Sequence, residues 1–192
     1  MPGKGEEKWD SIEVRALAAF PEATGALVIH RLDSETSGLM VLSLNPNACR
    51  ALSRQFMNRR IGKTYEALLD GIVEADEGEV NLPLAFDYER RPLQCVDHDN
   101  GKPATTLYRV LSRDDEHGRT RVLFRPETGR THQLRVHAAT PVADGGIGCP
   151  IVGDTLYGNP DSGPRLMLHA NFLAFWEPVT GEWVKFQSEC PF

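Results

Sequence analysis

Apolar and polar positions change period several times along the chain, and each change predicts an element. "SIEVRALAAF" repeats at helical spacing behind Asp10, with Glu13 three residues on as in a capping box, and stops at Pro21. "ALVIH" and "GLMVLSL" are short apolar runs that predict strands on either side of the polar loop "RLDSETS". Asn47 is placed to cap a helix running to about Arg59, with Ala48, Leu52 and Phe56 on one face. "KTYEALLDG" alternates like a half-buried strand, and "TTLYRVLSR" and "RTRVLFRP", joined by "DDEHG", predict a hairpin. "THQLRVHAA" predicts a short helix with Leu134 and Ala138 facing inward, and "RLMLHANFLAFWEP" and "EWVKFQ" read as closing strands.

Strands outnumber helices, and their order does not alternate as in a βαβ series. The expected fold class is therefore α+β, a twisted, mostly antiparallel mixed sheet with flanking helices. At 192 residues, with no repeat, linker or low-complexity tract, the chain is read as one domain spanning 1–192 with a sizeable core.

Composition narrows the class. No run approaches the ~18 apolar residues that cross a bilayer, and "MPGKGEEKWD" lacks the apolar core of a secretory leader. Cys49, Cys95, Cys149 and Cys190 are scattered and form no CxxC, which argues against a zinc site or a disulfide framework and suits a reducing cytoplasm. The net charge of −6 speaks against a polyanionic partner, but its distribution speaks for one. Arg50, Arg54, Arg59, Arg60 and Lys63 fall in a stretch without an acid, and Arg119, Arg121, Arg125, Arg130 and Arg135 are interrupted only by Glu127. The first group reads equally as a face that binds a polyanion or as the solvated side of an amphipathic helix.

Several short motifs fail on context. "GKT" at Gly62 lacks the earlier glycine of a phosphate loop and has a helix before it and a strand after. His132 and His137 are five apart without an HExxH glutamate, so no metal site is expected. Ser37, ahead of Gly38 in a tight turn, reads as a backbone-bonding residue rather than a nucleophile. Asp33, two residues after Arg31, is on spacing alone either half of a salt-bridged turn or a buried catalytic carboxylate.

In this order and spacing, "HRLDSETSGL", "KTYEALLDG", "GRTHQLRVH", "PIVGDTLYG" and "LMLHA" resemble the RluA family of pseudouridine synthases, from about residue 10 to the C-terminus. "RRPLQ" followed by "GKPATTLYRVL" is most similar to the stand-alone members that modify large-subunit ribosomal RNA and a transfer RNA anticodon stem-loop. The resemblance implies a pseudouridine synthase-like catalytic domain and a cofactor-free isomerisation of uridine in structured RNA. The cysteine pattern, the absence of an apolar span or metal motif and the lack of any sign of an obligate dimer add the expectation of a cytoplasmic, monomeric enzyme without metal or membrane. The resemblance assigns the nucleophile to Asp33, the active-site tyrosine to Tyr65 and the guanidinium that keeps Asp33 ionised to Arg135. Arg31 would hold out the flipped nucleotide, and Thr36-Ser37-Gly38 would let the RNA backbone come close. Arg54, Arg59, Arg60, Lys63, Arg130 and His132 are the expected RNA contacts, and Asp154 is expected to hold the "VGD" turn through backbone hydrogen bonds.

The family usually carries an Asn-Lys-Pro-x-Gly strand segment ahead of the first helix. Here "MPGKGEEKWDS" stands almost at that helix, so the domain is expected without it. Two further readings remain from the residues themselves: a non-catalytic RNA-binding module on the same scaffold, and a glycosidic hydrolase using Asp33 with water. The hydrolase would favour a second carboxylate, for which Glu35 is the neighbour in sequence.

Overall fold

A computed structural model describes residues 10–192, and the expectations for the first nine residues lie outside them. The chain forms two compact units. Among the described residues, the smaller comprises 10–34, Leu39–Gly62 and Phe172–Gln187; the larger comprises Glu35–Gly38, Lys63–Asn171 and Ser188–Phe192. Among the described residues, no helix is long and apolar enough to cross a membrane.

In the smaller unit, α1 (Ile12–Ala19) is capped by Ser11, whose Oγ accepts the Val14 N–H at 3.3 Å. Asp10, the expected cap, instead pairs with Arg15. Helix α2 (Pro46–Met57) begins earlier than a cap at Asn47 would allow. Pro46 takes the first helical position, where a missing N–H costs nothing, and Asn45 Oδ1 accepts the Ala48 N–H at 2.9 Å. The helix also ends sooner: Arg59 adopts a left-handed φ of 55°, and its N–H and that of Arg60 close the last turn onto Phe56 O and Gln55 O.

The two strands expected around the Asp33 loop do not form as a ladder. They meet at one isolated antiparallel bridge, Val28↔Leu42. The reason is local: His30, stacked on Phe56 at 4.5 Å, offers Nε2 to the Val41 N–H at 3.0 Å, and the Ser43 hydroxyl donates to Ala26 O at 2.8 Å. Side chains thus satisfy groups that a ladder would otherwise pair. Leu52, Leu173 and Phe175 form one apolar cluster of this unit, with Ile29, Leu39 and Val41 packed against it, and Ala16, Ala23 and Leu27 form another.

The larger unit is built on β1 (Ser37–Gly38), β2 (Gly62–Asp70), β3 (Glu77–Asn81), β6 (Thr105–Asp114), β7 (Arg119–Pro126) and the start of β8 (Leu168–Trp176). They lie in the order β1-β8-β2-β7-β6-β3. The β1–β8 pair is parallel, whereas β2–β7, β7–β6 and β6–β3 are antiparallel, so the mixed, mostly antiparallel α+β class holds. The rest of β8 pairs with β9 (Trp183–Gln187) in the smaller unit. A separate hairpin, β4 (Leu84–Phe86) and β5 (Gln94–Val96), went unseen in the sequence because three-residue strands carry too little alternation to register. Helix α3 (Gln133–Ala139) packs Leu134 and Ala138 into the main core with Leu69, Phe124 and Ile151.

His137, also on α3, is a polar group held inside this core. It lies 3.0 Å from Thr106 Oγ1 through Nδ1 and 3.4 Å from Leu82 O through Nε2. Thr106 Oγ1 already accepts from Gln133 Nε2 at 2.9 Å, so its own proton goes to Nδ1 and the imidazole is neutral, with Nε2–H facing the carbonyl. Burial lowers the His137 pKa from 6.5 to about 4, against the opposing pull of the Leu82 carbonyl. The unfolded chain therefore takes up this proton before the folded chain does. The stability tied to it is complete above pH 6.5 and is lost as pH falls towards about 4. Between pH 7 and 5 the loss should be about 2 kcal/mol, visible as a lower urea midpoint. In His137→Asn that slope should flatten; an unchanged slope would mean that other groups set it.

Candidate active site

Two loop segments and one helix bring the charged groups together in the larger unit. Arg135, on α3, is buried, and its side chain is forced to find a partner in the interior. That partner is Asp154: Nε and Nη2 donate to the two carboxylate oxygens at 2.8 and 2.6 Å, with 3% and 1% of the side chains exposed. Asp154 Oδ1 also accepts the backbone N–H groups of Leu156 and Tyr157, both at 2.9 Å. The expected backbone role of Asp154 is thus present, but it is only half of what the residue does. It also fixes one edge of the Arg135 fork.

The Arg135 guanidinium lies 5.3 Å from the centroid of the Tyr157 ring. Tyr157 Oη accepts the Gln94 N–H at 2.7 Å and lies 2.7 Å from His132 Nδ1. His132 itself starts α3 in a left-handed conformation, φ 54°, and gives the helix no side-chain cap. Gln133 does the organising instead. Its Oε1 accepts from Thr128 Oγ1 at 2.7 Å and from Arg130 N at 3.0 Å, and its Nε2 donates to Thr105 O at 2.9 Å. The "ETGRTHQ" turn is therefore shaped by a glutamine that its sequence position did not single out.

The "HRLDSETSG" segment passes from one unit to the other between Ser34 and Glu35. Asp33 is half-buried and Arg31 exposed, both in the smaller unit. Two residues beyond Asp33, Glu35 Oε2 lies 3.8 Å from Arg135 Nη2 and accepts from Thr155 Oγ1 at 3.2 Å. Thr36 Oγ1 is buried with no hydrogen-bond partner among the described residues. Ser37 Oγ accepts from Arg165 Nη2 at 2.6 Å and lies 2.8 Å from His169 Nδ1, so its own proton goes to the imidazole. Burial lowers the His169 pKa, which keeps that acceptor available.

A Cβ at Gly38 would stand 2.3 Å from Ala170 O, at a φ of +111°. Close approach to the β8 main chain therefore already requires glycine at this position.

Tyr65 lies on β2 opposite Phe124, half-buried, its ring packed against the main core. Lys63 Nζ donates to Thr128 O at 3.0 Å and Arg130 Nε to Pro103 O at 3.1 Å, so both cations also brace the loop before α3. Arg54, Arg59 and Arg60 are exposed in the smaller unit. Among the described residues no group of three His, Cys, Asp or Glu side chains is placed to hold a metal ion.

A mixed sheet with a buried Arg–Asp pair, in a chain that also carries an "HRLD" segment, is the arrangement whose relatives now identify it. A family model described as RNA pseudouridylate synthase matches residues 1–140, and the chain belongs to that family. The dual-specificity RNA pseudouridine synthase RluA of Pasteurella multocida is 44% identical over 191 residues, covering 98% of this chain and 83% of the relative. Its Escherichia coli K12 counterpart is 40% identical over 195 residues, covering 100% and 84%. Among solved structures, human RNA pseudouridylate synthase domain containing 1 superposes with a TM-score of 0.78 at 33% identity, over 95% of this chain and 75% of that one. The chain is accordingly an RNA pseudouridine synthase, an isomerase of the RluA type.

Proposed function

We propose that the chain isomerises chosen uridines in large-subunit ribosomal RNA, a transfer RNA anticodon stem-loop, or both, with Asp33 as nucleophile and no cofactor. The observation that carries this reading is the buried guanidinium of Arg135, fixed by Asp154 on one edge and reaching Glu35, two residues along the chain from Asp33. A carboxylate nucleophile must stay ionised in a site that excludes water, and a guanidinium held close to it favours the charged form. In this mechanism Asp33 adds to C1′ of the ribose or to C6 of the base, and the C1′–N1 bond breaks. The uracil turns, C5 bonds to C1′, the bond to Asp33 breaks to restore its carboxylate, and the C5 proton leaves.

Tyr65 stacks on the uracil and assists removal of that proton. The target must first leave its stack, at a cost of a few kcal/mol, and Arg31 holds it out. Arg54, Arg59, Arg60, Lys63, Arg130 and His132 meet the phosphates. The dual RNA specificity is what the bacterial relatives' names state of them. The protein works as a monomer in the cytoplasm.

RNA labelled with tritium at C5 of uridine tests the reaction, because the isomerisation releases that tritium to water. Release together with pseudouridine in the digested product supports the proposal, whereas free uracil would replace it with the hydrolase reading.

The basic residues make a separate prediction. Arg59→Glu with Arg60→Glu should weaken binding to every RNA sequence tested. It should also make affinity less dependent on salt, by about one unit of slope for each phosphate that the protein no longer neutralises. These side chains are exposed beyond the end of α2, so folding should be unaffected. An unchanged slope would mark them as solvated surface only.

A further inference from the structure

The β4–β5 hairpin carries a cluster that the reaction above leaves unused. Its connecting loop is held in one shape by Asp87. Oδ1 accepts the N–H groups of Glu89 and Arg90 at 3.1 and 3.0 Å, Oδ2 accepts from Arg90 Nε at 2.8 Å, and Asp87 N donates to Leu93 O at 3.0 Å. The Arg90 charge is thereby matched. Arg91 instead faces two rings, its guanidinium carbon 5.5 Å from the Phe86 centroid and 5.6 Å from that of Tyr88. The rings themselves are 5.4 Å apart, inclined at 55°. Tyr88 is 75% and Phe86 39% exposed. A cation and two aromatic rings, braced by a turn yet left in water, do little to cover the core of their own chain.

The inner end of the hairpin is tied to the site. Gln94 N donates to Tyr157 Oη at 2.7 Å, and Tyr157 is the ring over which Arg135 lies. Leu84 and Val96 pack with Val136 of α3 in one apolar cluster. The exposed tip is therefore set on the same scaffold that positions Arg135.

We propose that Tyr88 and Arg91 form a stacking platform for an unpaired base of the substrate RNA outside the target uridine. The inference rests on the RNA-modifying reading above. Every base has a π face, so an aromatic ring backed by a guanidinium holds a flipped or loop nucleotide without reading its sequence. The matched pair Asp87–Arg90 adds no net positive charge for a duplex backbone, which points to a base in a loop rather than to a stem.

The test is binding of the full chain to a fluorescein-labelled stem-loop transcript and to a blunt duplex of the same stem. Tyr88→Ala should raise the stem-loop Kd about tenfold and leave the duplex Kd unchanged. With the stem-loop labelled at C5 of uridine, KM should rise in step while kcat holds. Tyr88→Trp should bind as wild type does, and Arg91→Gln should weaken stem-loop binding while leaving the duplex Kd and the salt slope unchanged. Unchanged melting temperatures check that these exposed changes leave the fold alone. Wild-type stem-loop affinity in Tyr88→Ala, or an equal loss on the duplex, would overturn the platform. A wild-type chain that binds the stem-loop and releases no tritium would instead overturn the isomerase reading, and the Kd comparison would still decide the platform.

Discussion

An Asp33→Asn chain is expected to fold, to bind RNA, and to release no tritium from C5-labelled uridine. The substitution is nearly isosteric at a half-buried position, and a neutral amide is cheaper to keep there than an unpaired charge. It removes the negative charge and with it the nucleophile proposed above, and water acting in its place would give free uracil. Asp115→Asn, in the exposed β6–β7 turn, is the control and should match wild type. Glu35 is the carboxylate nearest in sequence. It already accepts from Thr155 and lies toward Arg135, so it does not stand free to substitute. Tritium release by Asp33→Asn at about a tenth of the wild-type rate or more would exclude Asp33 as the essential nucleophile. Loss of folding would instead favour the salt-bridged turn.

Asp154→Asn is expected to be the more damaging change for stability. It leaves Arg135 charged, buried and without its bidentate partner, and breaking such a pair by removing one member typically costs about 3–5 kcal/mol. Arg135→Met should be costly for the mirror-image reason, since it strands the Asp154 carboxylate. The double variant Arg135→Met, Asp154→Leu separates structure from chemistry. It removes both charges, so much of the stability should return, while turnover should stay at background because the guanidinium proposed to keep Asp33 ionised is gone. Thermal midpoints and tritium release on the four chains form the cycle. Additive stability losses would show that the two side chains do not support each other. Activity in the double variant would show that Arg135 is dispensable.

The nature of these groups was legible in the sequence, and their partnerships were not. "HRLDSETSGL" and "GRTHQLRVH" marked Asp33 and Arg135 through their resemblance to the family's motifs, whereas on spacing alone Asp33 could also be half of a salt-bridged turn. The long alternations of "KTYEALLDG" and of the hairpin from Thr105 to Pro126 marked the strands that make up most of the sheet. Each of those signals is local, so the chain alone is enough to carry it. Asp154 looked like a turn residue because its hydrogen bonds to Leu156 and Tyr157 are local, whereas its pairing with Arg135 spans 19 positions.

The same distinction runs through the rest of the molecule. That "ALVIH" meets its neighbour in one bridge only, that Gly38 is needed against Ala170, and that Gln133 shapes the turn before α3 all depend on residues far apart in sequence. Residue type and period decided which side chains are available for chemistry and which segments are extended or helical. Only the tertiary structure decided which buried charge meets which, because a buried guanidinium must be matched by whatever carboxylate the fold brings within hydrogen-bonding distance.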